Sequence, residues 1–388
     1  MRPAIRPHRA AIAIVVALIA LAPGCGSDDD DSGARDDADA AFQQALEQVV
    51  KAKNGPPGAI SVLQRGSETK VLTAGVADTK TRDVPQADAY TRTASTTKAI
   101  TGGVALWLVG EDKLTLDDTI GKRLPGTGMP RSWADITLAQ LMQHRSGIPS
   151  YTESKRFGAK LGADPQAKLD SRRLWTYAAD EPLSFKPGTK YAYSNTDNII
   201  VALMAEAASG KRFEDLLRER VFEPAGMERS SLPSGFELPK PYLHGYDPGP
   251  PREDISTLVS MSGVWASGGV TSTPADMVRF ARAYIGAELF PSSVREQQFQ
   301  WVKGESDPPG PGRNSAGLSV FRYETECGTV YGHTGNIPGY TVLFAATDDG
   351  EKALTTFASG ALSRVSQPEV MAMLRDAQVK GVCALLAD

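Results

Sequence analysis

The chain has 388 residues, which is enough for one large domain or two small ones. Hydrophobic residues make up 41% of the chain and charged residues 23%, as in an ordinary globular protein. The formal net charge is only −4 and no run of Lys and Arg occurs, which argues against a nucleic-acid partner.

Residues 1–24 are predicted to be a signal peptide, because Arg2, Arg6 and Arg9 precede an apolar run too short to anchor a folded protein across a bilayer. Two interpretations of its end remain open. One is cleavage after Ala22, at a small-x-small sequence, which predicts a secreted protein.

The other interpretation, which we favour, is a bacterial lipoprotein. Residues 21–25 resemble a lipobox, with Ala22 in place of the usual Leu, and Cys25 would carry the lipid. The protein would then be anchored to the outer face of the cytoplasmic membrane by this lipid alone. The Asp-rich residues 25–40 are predicted to be a tether that is disordered because of its composition.

The chain has three cysteines, and export implies an oxidising compartment in which free thiols are unusual. If Cys25 carries lipid, Cys327 and Cys383 remain as a pair. A disulfide between them would close a loop of about 56 residues and stabilise the fold by about 4 kcal/mol. The alternative is two unpaired, buried thiols.

Beyond the tether, residues 41–388 are predicted to form the folded domain. An amphipathic helix at residues 39–53 leads into two short strands at residues 59–64 and 70–76. The middle of the chain then has mainly helical periodicity, and strand patterns return near the end. Predicted helices cover residues 95–110, 137–144, 170–179, 197–209, 213–221, 274–284 and 367–379; predicted strands cover residues 316–323, 329–332, 339–346 and 352–358.

Strands at both ends of the chain predict a sheet that is built from sequence-distant parts. The predicted fold class is therefore α+β: an antiparallel sheet flanked by helices, with a mainly helical subdomain inserted at roughly residues 96–265. We expect a site in the cleft between the sheet and this subdomain.

Ser95 is the candidate nucleophile, three residues before Lys98 at the start of a predicted helix. This spacing puts both side chains on one helix face, so Lys98 can take the Ser95 proton if burial lowers its pKa. The N–H of Ser95 is a candidate oxyanion donor because the first N–H groups of a helix are free. The pattern is weakly specific, since it recurs in a charged turn at residues 67–70, and an ordinary capped helix is the alternative.

Two further motifs are expected to line the same cleft. In extended backbone Tyr193 and Asn195 point the same way, so Tyr193 can shuttle a proton while Asn195 binds a substrate amide and orients Lys98. In His333-Thr334-Gly335 the glycine admits a substrate backbone, and the N–H of Asn336 is a second candidate oxyanion donor. Taken alone, the tyrosine and the histidine also fit purely structural roles.

No metal or cofactor is expected. The three histidines of the mature chain, His144, His244 and His333, have no Cys or carboxylate at metal-ligand spacing. The absence of a Gly-x-Ser-x-Gly motif argues against an α/β-hydrolase.

With these motifs the chain resembles the serine penicillin-recognising family: class C β-lactamases, DD-peptidases and related esterases. Further similar motifs lie at residues 114–118, 141–148, 221–227 and 267–276, and the resemblance covers roughly residues 41–384. It implies a β-lactamase/DD-peptidase-like fold and an acyl-enzyme at Ser95, with Lys98 and Tyr193 as base and proton shuttle. Which of the two is the base stays open, because they titrate as a coupled pair.

His333 indicates which branch of this family the chain resembles. Most class C β-lactamases have Lys at this position, and a His is similar to actinobacterial secreted DD-carboxypeptidases, which also have a cysteine pair like Cys327 and Cys383. Such peptidases hold the terminal carboxylate with an Arg on the preceding strand, where this chain has Phe321. The neighbouring Arg322 is expected to face the opposite side of the strand.

The predicted function is that of a D-alanyl-D-alanine carboxypeptidase acting on peptidoglycan stem peptides. One alternative is an esterase or class C-like β-lactamase on the same scaffold, and another is a non-catalytic penicillin or muropeptide sensor. The expected partners are a small peptide, ester or β-lactam substrate and peptidoglycan.

Overall fold

The structure is a computed structural model that describes residues 29–249 and 252–387. The predicted signal peptide and Cys25 lie outside the described residues, so their processing stays a prediction. Within the described ranges no helix is both long enough and apolar enough to cross a membrane.

The described strands form one large sheet and one short ladder. Their bounds are β1 Gly58–Arg65, β2 Glu68–Gly75, β3 Thr91–Arg92, β4 Thr271–Ser272, β5 Val302–Lys303, β6 Arg313–Ala316, β7 Phe321–Thr325, β8 Gly328–Ile337, β9 Tyr340–Ala346 and β10 Lys352–Ala358. Eight of them pair antiparallel in the order β2-β1-β10-β9-β8-β7-β6-β5. The N-terminal hairpin therefore joins the C-terminal strands, as predicted from the sequence.

Helices cover both faces of this sheet. Their bounds are α1 Asp29–Lys51, α2 Thr97–Gly110, α3 Ile120–Arg123, α4 Leu138–Met142, α5 Lys155–Ala163, α6 Asn195–Ser209, α7 Phe213–Leu217, α8 Trp265–Gly268, α9 Pro274–Ile285, α10 Ser292–Gln298 and α11 Pro368–Leu386. Helices α1 and α11 pack on one face, where Phe42 and Leu374 share a buried cluster with Leu343 of β9. On the other face Phe280 of α9 packs edge-on against Phe344, at 5.3 Å between ring centroids. The predicted α+β class is confirmed.

The helical region between β3 and β4 is closed by these two strands, which pair Thr91 with Ser272 and Arg92 with Thr271. The buried Arg92 guanidinium donates to the Thr271 hydroxyl at 3.0 Å. Because α2 begins soon after β3, this ladder helps to hold the turn before α2 against β8 and β9 of the large sheet.

Two predicted elements differ from the structure. Residues 316–323 are not one strand, because Gly317–Val320 form a turn between β6 and β7 in which Ser319 has φ +55°. Residues 170–179 contain a 3-10 helix at Ser171–Tyr177 rather than an α-helix. Four helices, α3, α5, α8 and α10, were not predicted.

The segment predicted as a disordered tether is helical from Asp29 onward, as part of α1. Asp39 is buried in this helix and forms ion pairs with Arg65 and Lys70 of the β1–β2 hairpin. Composition predicted disorder because it could not show that these two cations neutralise the buried carboxylate.

Cys327, in the turn between β7 and β8, is joined by a disulfide to Cys383 of α11, with 5.1 Å between the Cα atoms. The bond ties the C-terminal helix to the strand hairpin that carries His333.

Candidate active site

Ser95 lies in a 3-10 turn, Ala94–Thr96, directly before α2. The buried Ala94 has φ +50°, a left-handed conformation that costs a residue with a side chain about 1–2 kcal/mol. The turn is stabilised from within, since the Thr96 hydroxyl donates to the Thr93 carbonyl at 2.7 Å. A strained backbone held in this way directs the Ser95 side chain into the cleft.

Lys98 is fully buried one helical turn after Ser95. Its Nζ atom donates to the Ser95 hydroxyl at 3.0 Å, to Asn195 Oδ1 at 2.7 Å and to the Ser267 carbonyl at 2.7 Å. Burial lowers the pKa of Lys98 to about 7, against an opposing effect of Asp307 and Asp197. A substantial fraction of this amine is therefore neutral near neutral pH.

These three partners decide where a neutral Lys98 directs its lone pair. An amine has two N–H donors and one acceptor site. The Asn195 and Ser267 oxygens only accept hydrogen bonds, whereas the Ser95 hydroxyl can also donate. The lone pair is therefore satisfied only when it faces Ser95, which is the orientation that a general base requires.

Asn195 begins α6, and its amide is held on both sides. Its oxygen accepts from Lys98, and its Nδ2 donates to the hydroxyls of Ser150 and Thr152 at 3.2 and 2.9 Å. The prediction that Asn195 orients Lys98 agrees with this geometry. We predicted that Asn195 also binds a substrate amide, but its Nδ2 group donates to Ser150 and Thr152 instead.

Tyr193 lies on the other side of Lys98, whose Nζ is 4.9 Å from the ring centroid. The Tyr193 hydroxyl is buried and has no hydrogen-bond partner among the described residues. Burial raises the pKa of Tyr193 well above its usual value, and the nearby Ser95 hydroxyl opposes this. At neutral pH Tyr193 is therefore a phenol rather than a phenolate, and Lys98 is the better base.

Strand β8 supplies the opposite wall of the cleft. A Cβ atom on Gly335 would lie 2.7 Å from the Ser95 nitrogen, so no larger residue fits there. Ile337 pairs with Tyr340 across a two-residue turn, and the next pair, Asn336 with Thr341, turns its N–H groups outward because hydrogen-bonded and open pairs alternate. The Asn336 N–H thus points away from β9, as an oxyanion donor opposite Ser95 requires.

His333 lies on the same face of β8 as Gly335 and is fully buried. Its Nδ1 contacts the Thr334 carbonyl, so Nδ1 carries the proton and Nε2 is an acceptor without a partner among the described residues. Burial lowers the pKa of His333 to about 3, with a further contribution from Lys98, so the ring is neutral. The acceptor Nε2 and the donor hydroxyl of Tyr193 are both unsatisfied, on rings whose centroids are 6.3 Å apart.

Thr334 differs from the prediction. Its hydroxyl donates to the Pro308 carbonyl and is buried, so it is not available to bind substrate. The reason is strand alternation: Thr334 faces away from the side that His333 and Gly335 share. It holds the segment between β5 and β6 instead.

The position that we compared with a carboxylate-binding Arg is filled by Phe321, which is buried with its ring 5.0 Å from His333. Arg322 points elsewhere, as expected from strand alternation. It contacts Glu324 at 3.4 Å and lies 5.4 Å from the ring centroid of Trp301. Neither side chain lines the Ser95 cleft.

Sequence reasoning missed several residues of the site. The Ser267 carbonyl and the Ser150 and Thr152 hydroxyls hold Lys98 and Asn195, but a carbonyl or a loop hydroxyl has no distinctive sequence pattern. His144 was noticed only as a histidine, yet its ring lies 4.4 Å from that of Tyr193.

The cleft beside Ser95 has a volume of about 550 Å³. Its large apolar lining residues are Phe157, Leu161, Val259, Val264 and Ile337. Across the described part of the chain, one group of side chains is close enough to share a metal ion, namely Glu326 with Cys327 and Cys383, and its sulfurs form the disulfide.

The fold, together with a Ser95 hydroxyl that accepts a hydrogen bond from the buried Lys98, defines a serine hydrolase. The chain belongs to the Beta-lactamase family, whose family model matches residues 42–374. The predicted family and enzyme class are confirmed.

Three similar proteins illustrate the range of this family. The chain is 27% identical over 219 residues to D-alanyl-D-alanine-carboxypeptidase/endopeptidase AmpH of Escherichia coli (strain K12), covering 56% of this chain and 54% of that protein. It is 26% identical over 341 residues to D-aminopeptidase of Cereibacter sphaeroides (strain KD131), covering 86% and 62%. A solved D-stereospecific amidohydrolase from Streptomyces sp. has a TM-score of 0.74 and 29% identity, covering 83% of this chain and 94% of that one. The chain thus spans little more than half the length of the two curated relatives.

Proposed function

We propose that this protein hydrolyses peptide or amide bonds in short substrates that contain D-amino acids, through an acyl-enzyme on Ser95. The observation that carries the proposal is the hydrogen bond between Ser95 and a buried Lys98 that is partly neutral near pH 7. The D-configuration is supported by the names of the relatives, which include a D-aminopeptidase and a D-stereospecific amidohydrolase.

The geometry supports a simple sequence of steps. Lys98 takes the proton of Ser95 as Oγ attacks the substrate carbonyl, and the N–H groups of Ser95 and Asn336 bind the oxyanion. The Tyr193 phenol donates a proton to the leaving amine and is reprotonated from the Lys98 ammonium. Water then attacks the ester while Lys98 takes its proton, and this proton passes to Ser95 Oγ as the carboxylic acid product leaves.

Within this class, the sequence favours D-alanyl-D-alanine carboxypeptidase activity on peptidoglycan stems, and a relative carries that name. A carboxypeptidase needs a cation for the terminal carboxylate. Among the described residues, no Arg or Lys lines the Ser95 cleft, and Arg364 at the rim lies 3.5 Å from Glu305. Carboxypeptidase activity would therefore depend on Arg364.

One substrate panel tests these proposals. Wild type and Ser95→Ala are compared on an acylated D-Ala-D-Ala peptide, D- and L-amino acid anilides, a p-nitrophenyl ester and a chromogenic cephalosporin. Turnover of D-peptides or D-anilides that Ser95→Ala abolishes supports the proposal. Turnover of the ester or cephalosporin alone would assign the esterase or β-lactamase alternative, and release of D-Ala that Arg364→Ala does not weaken would contradict the role of Arg364.

We also propose that the enzyme acts outside the cytoplasm. This proposal is supported by the signal-peptide pattern of residues 1–24. Lipid attachment at Cys25 predicts that Cys25→Ser releases the protein from membranes into the medium or a soluble fraction. An unchanged membrane fraction would contradict the lipid anchor.

A further inference from the structure

Among the described residues, Asp307 is the one charged side chain that lines the cleft beside Ser95. It lies in the segment between β5 and β6. Its side chain is exposed, and in the described ranges it has no hydrogen bond or ion pair. The adjoining cavity, which shares Asp307, also holds Glu153, Glu305 and Arg364, of which Glu305 and Arg364 pair with each other.

The backbone on both sides of Asp307 is held in place. On one side the buried Ser306 hydroxyl accepts from the Tyr323 hydroxyl at 3.0 Å and from the Gly310 N–H at 3.1 Å. On the other side the Pro308 carbonyl accepts from the Thr334 hydroxyl of β8. An unpaired carboxylate on an anchored backbone is available to a ligand without rearrangement of the segment.

Two further observations connect Asp307 with the reaction. Its charge reaches the catalytic groups, since it opposes the effect of burial on the pKa of Lys98 and adds to that effect on Tyr193. The Tyr193 hydroxyl and His333 Nε2 are buried polar atoms without partners among the described residues. Both atoms can therefore form a hydrogen bond with a polar ligand, and the cleft carries the negative charge of Asp307.

A ligand that fits this cleft has an apolar side chain and a cation. The apolar lining residues accept the side chain, and the carboxylate at position 307 accepts an ammonium group. A free carboxylate on the substrate would meet a like charge, which disfavours binding.

From this arrangement we infer that Asp307 binds the free α-ammonium group of a D-aminoacyl amide or peptide and so makes the enzyme select substrates with an unblocked amino terminus. The inference rests on the proposed function and names its substrate class. A charged hydrogen bond of this kind corresponds to about a tenfold preference or more for the free amine over its acetylated form.

The test compares D-phenylalanine p-nitroanilide with its Nα-acetyl derivative, in wild type, Asp307→Asn and Glu305→Gln. Glu305 is the matched control, because it is an exposed carboxylate two residues away that pairs with Arg364 at the rim of the cleft. We expect wild type and Glu305→Gln to prefer the free amine in kcat/KM by about tenfold or more. Asp307→Asn should bring this ratio close to one, mainly through KM.

An unchanged ratio in Asp307→Asn would overturn the inference, as would an equal loss on both anilides, which assigns a structural or catalytic role. If neither anilide turns over, D-phenylalanine amide and its acetyl derivative are compared as inhibitors of p-nitrophenyl acetate hydrolysis, with the same expected ratio. A preference for Nα-acetyl-D-lysine anilide that depends on Asp307 would assign a side-chain amine instead and contradict the α-ammonium. Failure of the proposed function itself looks different: wild type and Ser95→Ala would then have the same rate on every anilide and ester.

Discussion

The ring of His144 lies 4.4 Å from the ring of Tyr193 between centroids, with 40° between the ring planes. Its Nδ1 atom accepts the Ser194 N–H at 3.3 Å and lies 3.2 Å from Asp197 Oδ2. Burial lowers the pKa of His144 and raises that of Asp197, each well away from its usual value. His144 therefore connects a buried carboxyl group with the ring of the active-site tyrosine.

The contact between the His144 and Tyr193 rings predicts different results for two substitutions of His144. His144→Phe keeps an aromatic ring beneath Tyr193, whereas His144→Ala lets the tyrosine shift, and misplacement of about 1 Å can cost up to roughly 100-fold in rate. We expect kcat on a chromogenic ester to fall about 10- to 100-fold in His144→Ala and much less in His144→Phe. Equal kcat values in the two variants would show that the ring does not position Tyr193.

The protonation of Lys98 predicts the pH dependence of acylation. With a pKa of about 7, the neutral base form increases as the pH rises through neutrality. The kcat/KM for ester turnover should therefore rise with pH and level off above about pH 8. Lys98→Ala should lower kcat/KM by roughly 10²- to 10⁴-fold and remove this pH dependence. If the pH dependence persists in Lys98→Ala, it belongs to another titratable group.

The same shift has a consequence for stability. The Lys98 pKa is lower in the native state than the ordinary value of 10.5, so between these two values the unfolded chain binds more protons. This residue therefore makes the free energy of unfolding increase as the pH rises from about 7 towards 10. Urea unfolding across this range should show a smaller increase for Lys98→Met than for wild type, and parallel curves would contradict the lowered pKa.

The contact between Gly335 and Ser95 predicts that Gly335→Ala impairs catalysis. The added Cβ would lie 2.7 Å from the Ser95 nitrogen and 2.9 Å from Ala94 Cβ, so β8 and the nucleophile turn must separate. We expect kcat/KM to fall about 100-fold, as for loss of an oxyanion donor. Gly235→Ala is the control, because nothing lies within 4 Å of its added Cβ. Activity of Gly335→Ala close to that of the control would mean that the turn tolerates the displacement.

Ser95, Lys98 and Asn195 could be predicted from the sequence because each acts through a side chain in a short pattern with a defined local geometry. The Ser267 carbonyl could not, since every residue has a carbonyl and only tertiary packing brings this one to Lys98. The role of Asp307 could not be predicted either, because this residue belongs to an aperiodic segment whose position depends on a hydrogen bond from β8.

Thr334 shows an error that the sequence could have prevented. Adjacent residues of a strand face opposite sides, so His333 and Gly335 in the site place Thr334 outside it. For the fold, hydrophobic periodicity predicted most long helices and strands correctly. It predicted a helix over residues 39–53 but not the Asp-rich start of α1 before them. Arg35 and Asp39 of this helix form ion pairs with the distant β1–β2 hairpin.

The disulfide between Cys327 and Cys383 predicts a loss of stability without a loss of chemistry. It closes a sequence separation of 56 residues, for which the chain-entropy relation gives about 4 kcal/mol. Replacement of both cysteines by Ser should lower the free energy of unfolding by roughly 2–4 kcal/mol in urea. The kcat on a chromogenic ester should stay near that of wild type under native conditions, because neither cysteine lines the Ser95 cleft. Equal unfolding curves for the double variant and for wild type, before and after reduction, would mean that the bond does not stabilise the native state.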